Sequence, residues 1–429
     1  MLLTLLRSRR FAPLFACQLF AAFNDNFIKN ALAILVLFRL GGSNGPLLVT
    51  LAGALFILPF FVLSALGGEL ADRYDKARVA RATKLGEIGV AAIAAVGFLL
   101  PSTVLLFAAL FLTGCLSALF GPVKYGILPD HLARDELVAG NALIETATFL
   151  AILAGTLGGG IMVAEASPWA IAAMTVAVSV IAYLFSTRIP PSGERAPDLR
   201  IEPNVWRSTF ALLRDLKRQP RLFMAAIAVS CFWLVGAVVL SLLPPLVKQA
   251  IGGRESLVTL FLVVFTVGIA IGSLAAARLS RRRIRLALTP IGGALVGAFA
   301  LDLAFATAGM TAAAPAVGWS DFLRSAGDLR IVADLLGVAA GGGLFVVPAF
   351  AFLQAEAGED HRARVIAANN VLNAAFIVAG SLALLGLQAA GFSTPTLIGV
   401  VGALSLAGAP LIGHALTGAV RRGAGVASR

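Results

Sequence analysis

The sequence predicts an all-α polytopic membrane protein, with twelve transmembrane helices in two pseudo-symmetric six-helix bundles. Three observations carry this expectation. Of 429 residues, 59% are hydrophobic and 13% charged, before its 44 glycines are counted, whereas a soluble domain is roughly 45–50% apolar with glycine included and about 25% charged. Apolar stretches approaching or exceeding the roughly 20 residues that cross a bilayer recur twelve times. Lysine and arginine gather in alternate connections between those stretches, as one membrane face requires. The composition excludes a soluble globular enzyme, a disordered tail and a secreted disulfide scaffold. Cys17, Cys115 and Cys231 sit in separate apolar stretches, so they suggest neither a disulfide framework nor a metal site. The net charge of +12 lies in loops, which points to a membrane face and not to nucleic acid.

The expected spans are 11–38, 46–68, 79–100, 103–121, 137–165, 169–188, 221–247, 256–278, 286–310, 329–354, 362–390 and 394–418. Each must be helical, because lipid offers no partner to an unpaired backbone group. The first is no cleavable signal: it is too long, holds Asn24, Asp25 and Asn26, and lacks a small-residue cleavage site. With the N-terminus inside, 28 of the 34 Lys and Arg fall on the cytoplasmic side. Five fall outside (Arg39, Lys248, Arg254, Arg324, Arg330), and Lys29 lies within the first span. Both termini are therefore expected in the cytoplasm.

The longest basic connection, 189–220, is rich in Pro and Arg and contains an amphipathic piece near Trp206–Arg218. It separates an N-terminal bundle, 1–188, from a C-terminal bundle, 221–429. The bundles share weak likenesses at equivalent places. Val138-Ala-Gly-Asn-Ala-Leu-Ile-Glu145 opens span 5 as Ile366-Ala-Ala-Asn-Asn-Val-Leu-Asn373 opens span 11, and Gly121-Pro122 and Val347-Pro348 are expected to end the spans before them. Chance matching of short apolar strings is the alternative. Parallel six-span halves are the organisation of the major facilitator superfamily.

Gly68-Glu-Leu-Ala-Asp72-Arg73-Tyr-Asp75-Lys76-Ala-Arg78, between spans 2 and 3, resembles the loop motif of that superfamily. Asp72 at a cytoplasmic helix end can pair with a cation or a helix terminus of the other half and lock one conformation, so Asp72, Arg73 and Arg78 are candidate conformational-gate residues. The other reading is a solvated basic loop, and that reading is preferred for Arg81 and Lys84, with Glu87 pairing with one of them.

Charge inside a bilayer is costly and normally faces the bundle interior. In span 1, Gln18, Asp25 and Lys29 share one stripe at about 100° per residue, flanked by Asn26 and Asn30, while Asn24 points elsewhere. Asp25 and Lys29 are four apart and can pair along the helix; a structural brace and a polar binding site both remain open. In span 5, Asn141, Glu145 and Thr148 share a face with Gly155 and Gly159, whose small size suits close helix packing. In span 11, Asn369 and Asn373 serve either a site or interhelical bonding. Lys124 and Tyr125 follow the Gly-Pro pair that ends span 4; Lys124 can hold a phosphate as a point charge or snorkel to anionic lipid. Asp302 and Gln354 are lesser candidates. The three histidines, His131, His361 and His414, are scattered, so neither an enzyme centre nor a metal or cofactor site is expected.

Ala22-Phe-Asn-Asp25-Asn, Gly121-Pro-Val-Lys-Tyr-Gly-Ile-Leu128, Gly140-Asn-Ala-Leu-Ile-Glu145 and Gly343-Leu-Phe-Val-Val-Pro348 with Leu353-Gln354 together resemble the bacterial lysophospholipid transporter family of the major facilitator superfamily. The resemblance covers about residues 10–420. It implies a twelve-helix flippase of the bacterial inner membrane that moves lysophosphatidylethanolamine-like substrates from the outer to the inner leaflet for reacylation; a monomer working by alternating access is the expectation built on it. It also implies an acyltransferase partner or fused domain, and here His131 is followed by Asp at the fourth position and not at the fifth, as a His-x4-Asp acyltransferase motif needs. The resemblance implies a cation in span 7, where Phe232–Leu240 has none. The substrate-binding candidates are Asp25, Asn26, Lys29, Lys124, Tyr125, Asn141, Glu145, Asn369 and Asn373: acids for an ammonium, lysines for a phosphate, with phenylalanines along the path of an acyl tail. Two rivals stand beside it: a proton-coupled exporter of drugs or metabolites with Asp25 or Glu145 titrating, and a non-transporting scaffold that recruits an acyltransferase through 189–220.

Overall fold

The computed structural model describes residues 2–36, 45–281, 283–310 and 316–424. The end of the first expected span, Arg39, Arg282 and Arg429 lie outside the described residues, as do the side chains of Arg421 and Arg422. The helices, in chain order, are α1 (Leu2–Leu6), α2 (Ala12–Leu35), α3 (Gly45–Arg73), α4 (Lys76–Leu99), α5 (Thr103–Gly126), α6 (Leu128–His131), α7 (Leu137–Glu165), α8 (Pro168–Ser186), α9 (Val205–Lys217), α10 (Pro220–Pro245), α11 (Glu255–Ser280), α12 (Leu288–Ala308), α13 (Trp319–Phe322), α14 (Ala326–Glu356), α15 (Arg362–Ala389) and α16 (Thr394–Ala424). Twelve of these are long, and no strand occurs among the described residues. Eleven of the twelve are long and apolar enough to cross a membrane. The twelfth, α2, carries Gln18, Asn24, Asp25, Asn26, Lys29 and Asn30, and those polar groups set it apart.

Helix starts follow local chemistry. Ser102 and Ser167 cap α5 and α8 by accepting from Leu105 and Ala170 N–H, and Asp75 caps α4 by accepting from Arg78 N–H; each satisfies a donor that a first turn leaves bare. Pro13, Pro168 and Pro220 sit in first turns, where a missing N–H costs nothing. The breaks expected at Pro122 and Pro348 do not occur. α5 runs on to Gly126 and α14 to Glu356, because neighbouring helices supply the packing that lets a membrane helix keep an internal proline. α10 instead loosens after Pro244 and Pro245 into a wider turn, Leu246–Ile251. Gly252 ends it in the left-handed region, φ +74°, which glycine adopts without steric cost.

The described chain divides into two compact units: 1–218 with 354–374, and 219–353 with 375–429. The segment 354–374, the end of α14 and the start of α15, thus packs with the N-terminal helices. In unit 1, α2 packs on α7 and α8, α4 on α5 and α8, and α3 on α5, around a cluster that includes Phe27, Leu32, Ala94, Phe98, Leu106, Leu110 and Val163. The glycine face of α7 meets α2 backbone to backbone: a Cβ at Gly159 would sit 2.7 Å from the carbonyl oxygen of Phe27, and one at Gly155 would overlap that of Phe23. Unit 2 uses the same device, with Gly272 and Gly343 between α11 and α14 and Gly297 and Gly402 between α12 and α16. Lipid rewards no apolar burial between helices, so close backbone approach supplies the attraction. Residues such as Leu58, Val104, Ile161, Phe305 and Leu382 stay exposed, as lipid-facing surfaces do.

A Cβ at Gly272 would overlap the carbonyl oxygen of Ala340, a backbone atom that cannot swing aside. Gly272→Ala is therefore expected to destabilise the protein by about 1–3 kcal/mol, read as a lowered thermal midpoint in detergent, whereas Gly236→Ala, where a Cβ meets nothing, leaves the midpoint in place.

Candidate functional site

Unit 1 carries a set of polar side chains within its membrane-crossing helices. On α2, Asp25 accepts from Ser117 Oγ of α5 at 2.7 Å. Lys29 donates to Asn26 Oδ1 at 3.1 Å and lies 5.5 Å above the Phe56 ring. Among the described residues Asp25 and Lys29 form no ion pair, contrary to the pairing expected from their spacing: each finds a nearer partner, one on α5 and one on its own helix. The charges remain within electrostatic range. Asn26 also donates to the carbonyl of Ala22, at 2.8 Å. Asn24 turns away and donates to Ser179 of α8, 2.8 Å, and Asn30 donates to the carbonyl of Thr156, 2.6 Å; both brace helices.

Across from α2, Glu145 of α7 is fully buried and accepts from Tyr125 OH at 2.9 Å. Lys124 lies 4.7 Å from the Tyr125 ring and within electrostatic range of Glu145, Lys84 and Asp25. Gln18 donates to Thr148, 3.1 Å. Asn141 and Gln354 form a two-way amide pair, 2.6 and 3.1 Å. Asn369 is fully buried, with neither amide atom bonded to another described group; Asn373 lies one turn further along α15 and is buried too. An unpaired buried amide costs free energy, which makes Asn369 a ready partner for a polar ligand group.

Lys84, left to the solvated loop, belongs inside, and it takes the partner expected for Glu87. Lys84 is 1% exposed, bonds Glu87 as an ion pair and lies 3.7 Å from the Phe120 ring. Its helix begins at Lys76, so Lys84 stands two turns, about 12 Å, into the span. Asp25 lies within electrostatic range of both members of the pair. The acid and the base at i, i+3 were the signal in the sequence that they could be buried together.

The loop-motif residues occupy the other end of α3. Asp72 accepts from the N–H groups of Ala363 (2.9 Å) and Arg364 (3.1 Å) in the first turn of α15, and from Arg364 Nε at 3.1 Å. A carboxylate here meets bare N–H donors and the positive end of the helix dipole together. Arg73 lies 5.2 Å from the Tyr74 ring. Arg78 is exposed, with Glu194 3.9 Å away. Beside them, Asp130 gathers Lys76 (3.0 Å), Arg362 (3.1 Å) and Arg195 (3.4 Å). Asp75 fastens the connection that follows α8, accepting from the N–H groups of Ser192 and Gly193 at 2.7 Å each. Burial by itself raises the Asp75 carboxyl, but backbone N–H donors, those of Gly193, Arg78 and Ser192 among them, outweigh it and hold the group below its ordinary value. That contribution to stability is present above the ordinary aspartate range, about 3.9, and is lost as pH falls through the lower folded value.

Unit 2 is built differently. A cavity of about 320 Å³ lies among α10, α11, α12, α14, α15 and α16. Its walls are almost wholly apolar, with Phe232, Phe265, Phe345, Val296, Leu384 and Leu404 among them. Asp302 lies away from these walls, paired with Arg330.

The model of the Major Facilitator Superfamily matches residues 14–381. The chain is 29% identical over 364 residues to the lysophospholipid transporter LplT of Serratia proteamaculans, covering 81% of each chain. It is 28% identical over 365 residues to that of Yersinia pestis, covering 81% of this chain and 79% of the relative. Solved structures similar in fold include the human organic anion transporter MFSD10 (TM-score 0.70, 17% identity, 94% of this chain and 99% of that one). A bacterial homologue of the iron transporter ferroportin in an outward-facing state is also similar (TM-score 0.67, 16% identity, 96% and 99%). With that match over most of its length and twelve long helices of this architecture, the chain belongs to the Major Facilitator Superfamily and is a membrane transporter.

Proposed function

We propose that the protein is a lysophospholipid transporter of the bacterial inner membrane, with both termini cytoplasmic, working by alternating access. One observation carries the reading: six charged groups of both signs in spanning helices, Asp25, Lys29, Lys84, Glu87, Lys124 and Glu145, stand within electrostatic reach of one another in one unit. A substrate with a zwitterionic phosphate headgroup needs groups of both signs at its site. The acids suit an ammonium, the lysines a phosphate, and Asn26, Tyr125, Asn141, Asn369 and Asn373 supply amide and hydroxyl partners. The similarity to the two lysophospholipid transporters supports the substrate class, and the Lys/Arg count supports the orientation. In this reading Asp72, with Arg73 and Arg78 beside it, is a conformational gate: its grip on the first turn of α15 holds one state, and a ligand shifts the balance only by its differential affinity. Movement toward the inner leaflet would deliver the substrate for reacylation by an acyltransferase partner, and the transporter would act as a monomer.

Labelled lysophosphatidylethanolamine in proteoliposomes tests the proposal. Uptake is expected to be saturable and competed by lysophosphatidylglycerol or lysophosphatidylcholine, and to proceed without a pH gradient. Uptake equal to that of protein-free vesicles, or competition only by cationic dyes with a steep pH-gradient dependence, would move the assignment to a proton-coupled exporter.

A further inference from the structure

α9 has no part in the site described above, yet its placement is specific. Asn204 caps it, accepting from the N–H groups of Trp206 (3.1 Å) and Arg207 (3.0 Å). Ser208 donates to Glu69 Oε1, and Glu69 Oε2 accepts from Glu202 N–H at 3.0 Å. Thr209 donates to the carbonyl of Phe61, 3.4 Å. Glu69 and Phe61 lie four and twelve residues before the end of α3 at Arg73, about 6 and 18 Å along its axis. Residues 51–73 of α3 cross the membrane. α9 is thus fastened to the flank of a spanning helix, between its midpoint and its linker-side end.

At about 100° per residue the helix has three faces. Ser208, Thr209 and Leu216 are buried. Trp206 and Phe210, with Leu213 one turn on, form a second stripe, and the two rings are 53% and 67% exposed. Arg207, Arg214 and Arg218 form the third, next to the aromatic one, with Lys217 continuing the aromatic stripe. Two of these cations have acidic neighbours: Glu202 is 3.6 Å from Arg207, and Asp215 is 3.5 Å from Arg218. Even so, residues 205–218 hold four cations against one acid. Rings left in water at this depth would have no physical reason; against acyl chains they do, and tryptophan prefers that boundary. A cationic face beside an aromatic one is the pattern of a helix lying in the plane of an anionic leaflet. A protein partner would have to reach the aromatic stripe from within the lipid.

We propose that α9 is an in-plane interfacial helix that seats Trp206 and Phe210 among the acyl chains on the linker side of the membrane and binds anionic phospholipid headgroups through Arg207, Arg214, Lys217 and Arg218. The proposal is independent of what the protein transports. To test it, the full chain with Trp169, Trp233 and Trp319 each replaced by Phe is reconstituted in phosphatidylcholine vesicles, with or without an equal part of phosphatidylglycerol. Brominated phosphatidylcholine is expected to quench most of the Trp206 emission, while aqueous iodide quenches little. Spin-labelled phosphatidylglycerol is expected to quench about threefold more than spin-labelled phosphatidylcholine, since each cation near an anionic surface favours binding severalfold. High salt, or the combined Arg207→Gln, Arg214→Gln and Arg218→Gln change, removes that preference. Phe210→Cys carrying an environment-sensitive label gives the same reading with the tryptophans intact. Strong iodide quenching without quenching by brominated lipid would overturn the proposal and leave the helix to a soluble partner; equal quenching by the two spin-labelled lipids would overturn the anionic specificity.

Discussion

Replacing Asp130 by Ala is expected to cost the protein about 3–5 kcal/mol of stability. The carboxylate is 1% exposed and faces Lys76, 0% exposed, and Arg362, 8% exposed. Ala leaves both cations buried without a counter-charge, and Arg195 loses its bond to the same oxygen as Arg362. The loss is greater than the net worth of the pairs, because an uncompensated buried charge must be desolvated with nothing in return. The double change Asp130→Leu with Lys76→Met is expected to be milder than Asp130→Ala, since it removes one cation with the acid. Thermal unfolding in detergent, followed by fluorescence or by protease sensitivity, ranks the variants. If Asp130→Ala matches the double variant, the burial of Lys76 has no energetic consequence and this account fails.

Asp25→Asn is expected to lower lysophosphatidylethanolamine transport about 10- to 100-fold at unchanged expression, because a hydrogen bond to a charged group contributes about 1.5–3 kcal/mol and the amide keeps the shape while losing the charge. Ser117 can still donate to the amide oxygen, so folding is spared. Glu145→Gln provides a second reading: it retains an acceptor for Tyr125 and removes only the charge facing Lys124. Loss of transport in both variants, with wild-type thermal midpoints, identifies the two carboxylates as substrate-facing. Full transport in both would remove them from the site.

Much of the fold was legible because lipid imposes a single rule on every segment: an apolar run of sufficient length must be a helix. Leu137–Glu165 begins and ends where the hydrophobic pattern does. Even α2 was found, since its polar residues interrupt a run long enough to span. The failures came where a local signal met a tertiary one. Pro122 and Pro348 read as stops, and neighbouring helices overrode them. Lys76 and Lys84 were counted as loop cations, because counting basic residues treats each as solvated. The acid that buries Lys76, Asp130, is 54 positions away, and no spacing rule reaches that far. At the candidate site, Asp25 and Glu145 stood out as charges in oily helices, but Ser117 and Phe120, which hold Asp25 and Lys84, look like ordinary span residues.

The helices of unit 2 touch through glycine backbone at Gly272, Gly297, Gly343 and Gly402, where there are no rotamers to rearrange. The same helices line a 320 Å³ apolar hollow, and there the surface is made mainly of Leu, Val and Phe side chains that can turn. A dry apolar hollow of roughly half that size already admits xenon or benzene. Hydrostatic pressure favours whichever state eliminates unfilled space, so in this unit the backbone contacts resist repacking while the side chains around the hollow can yield.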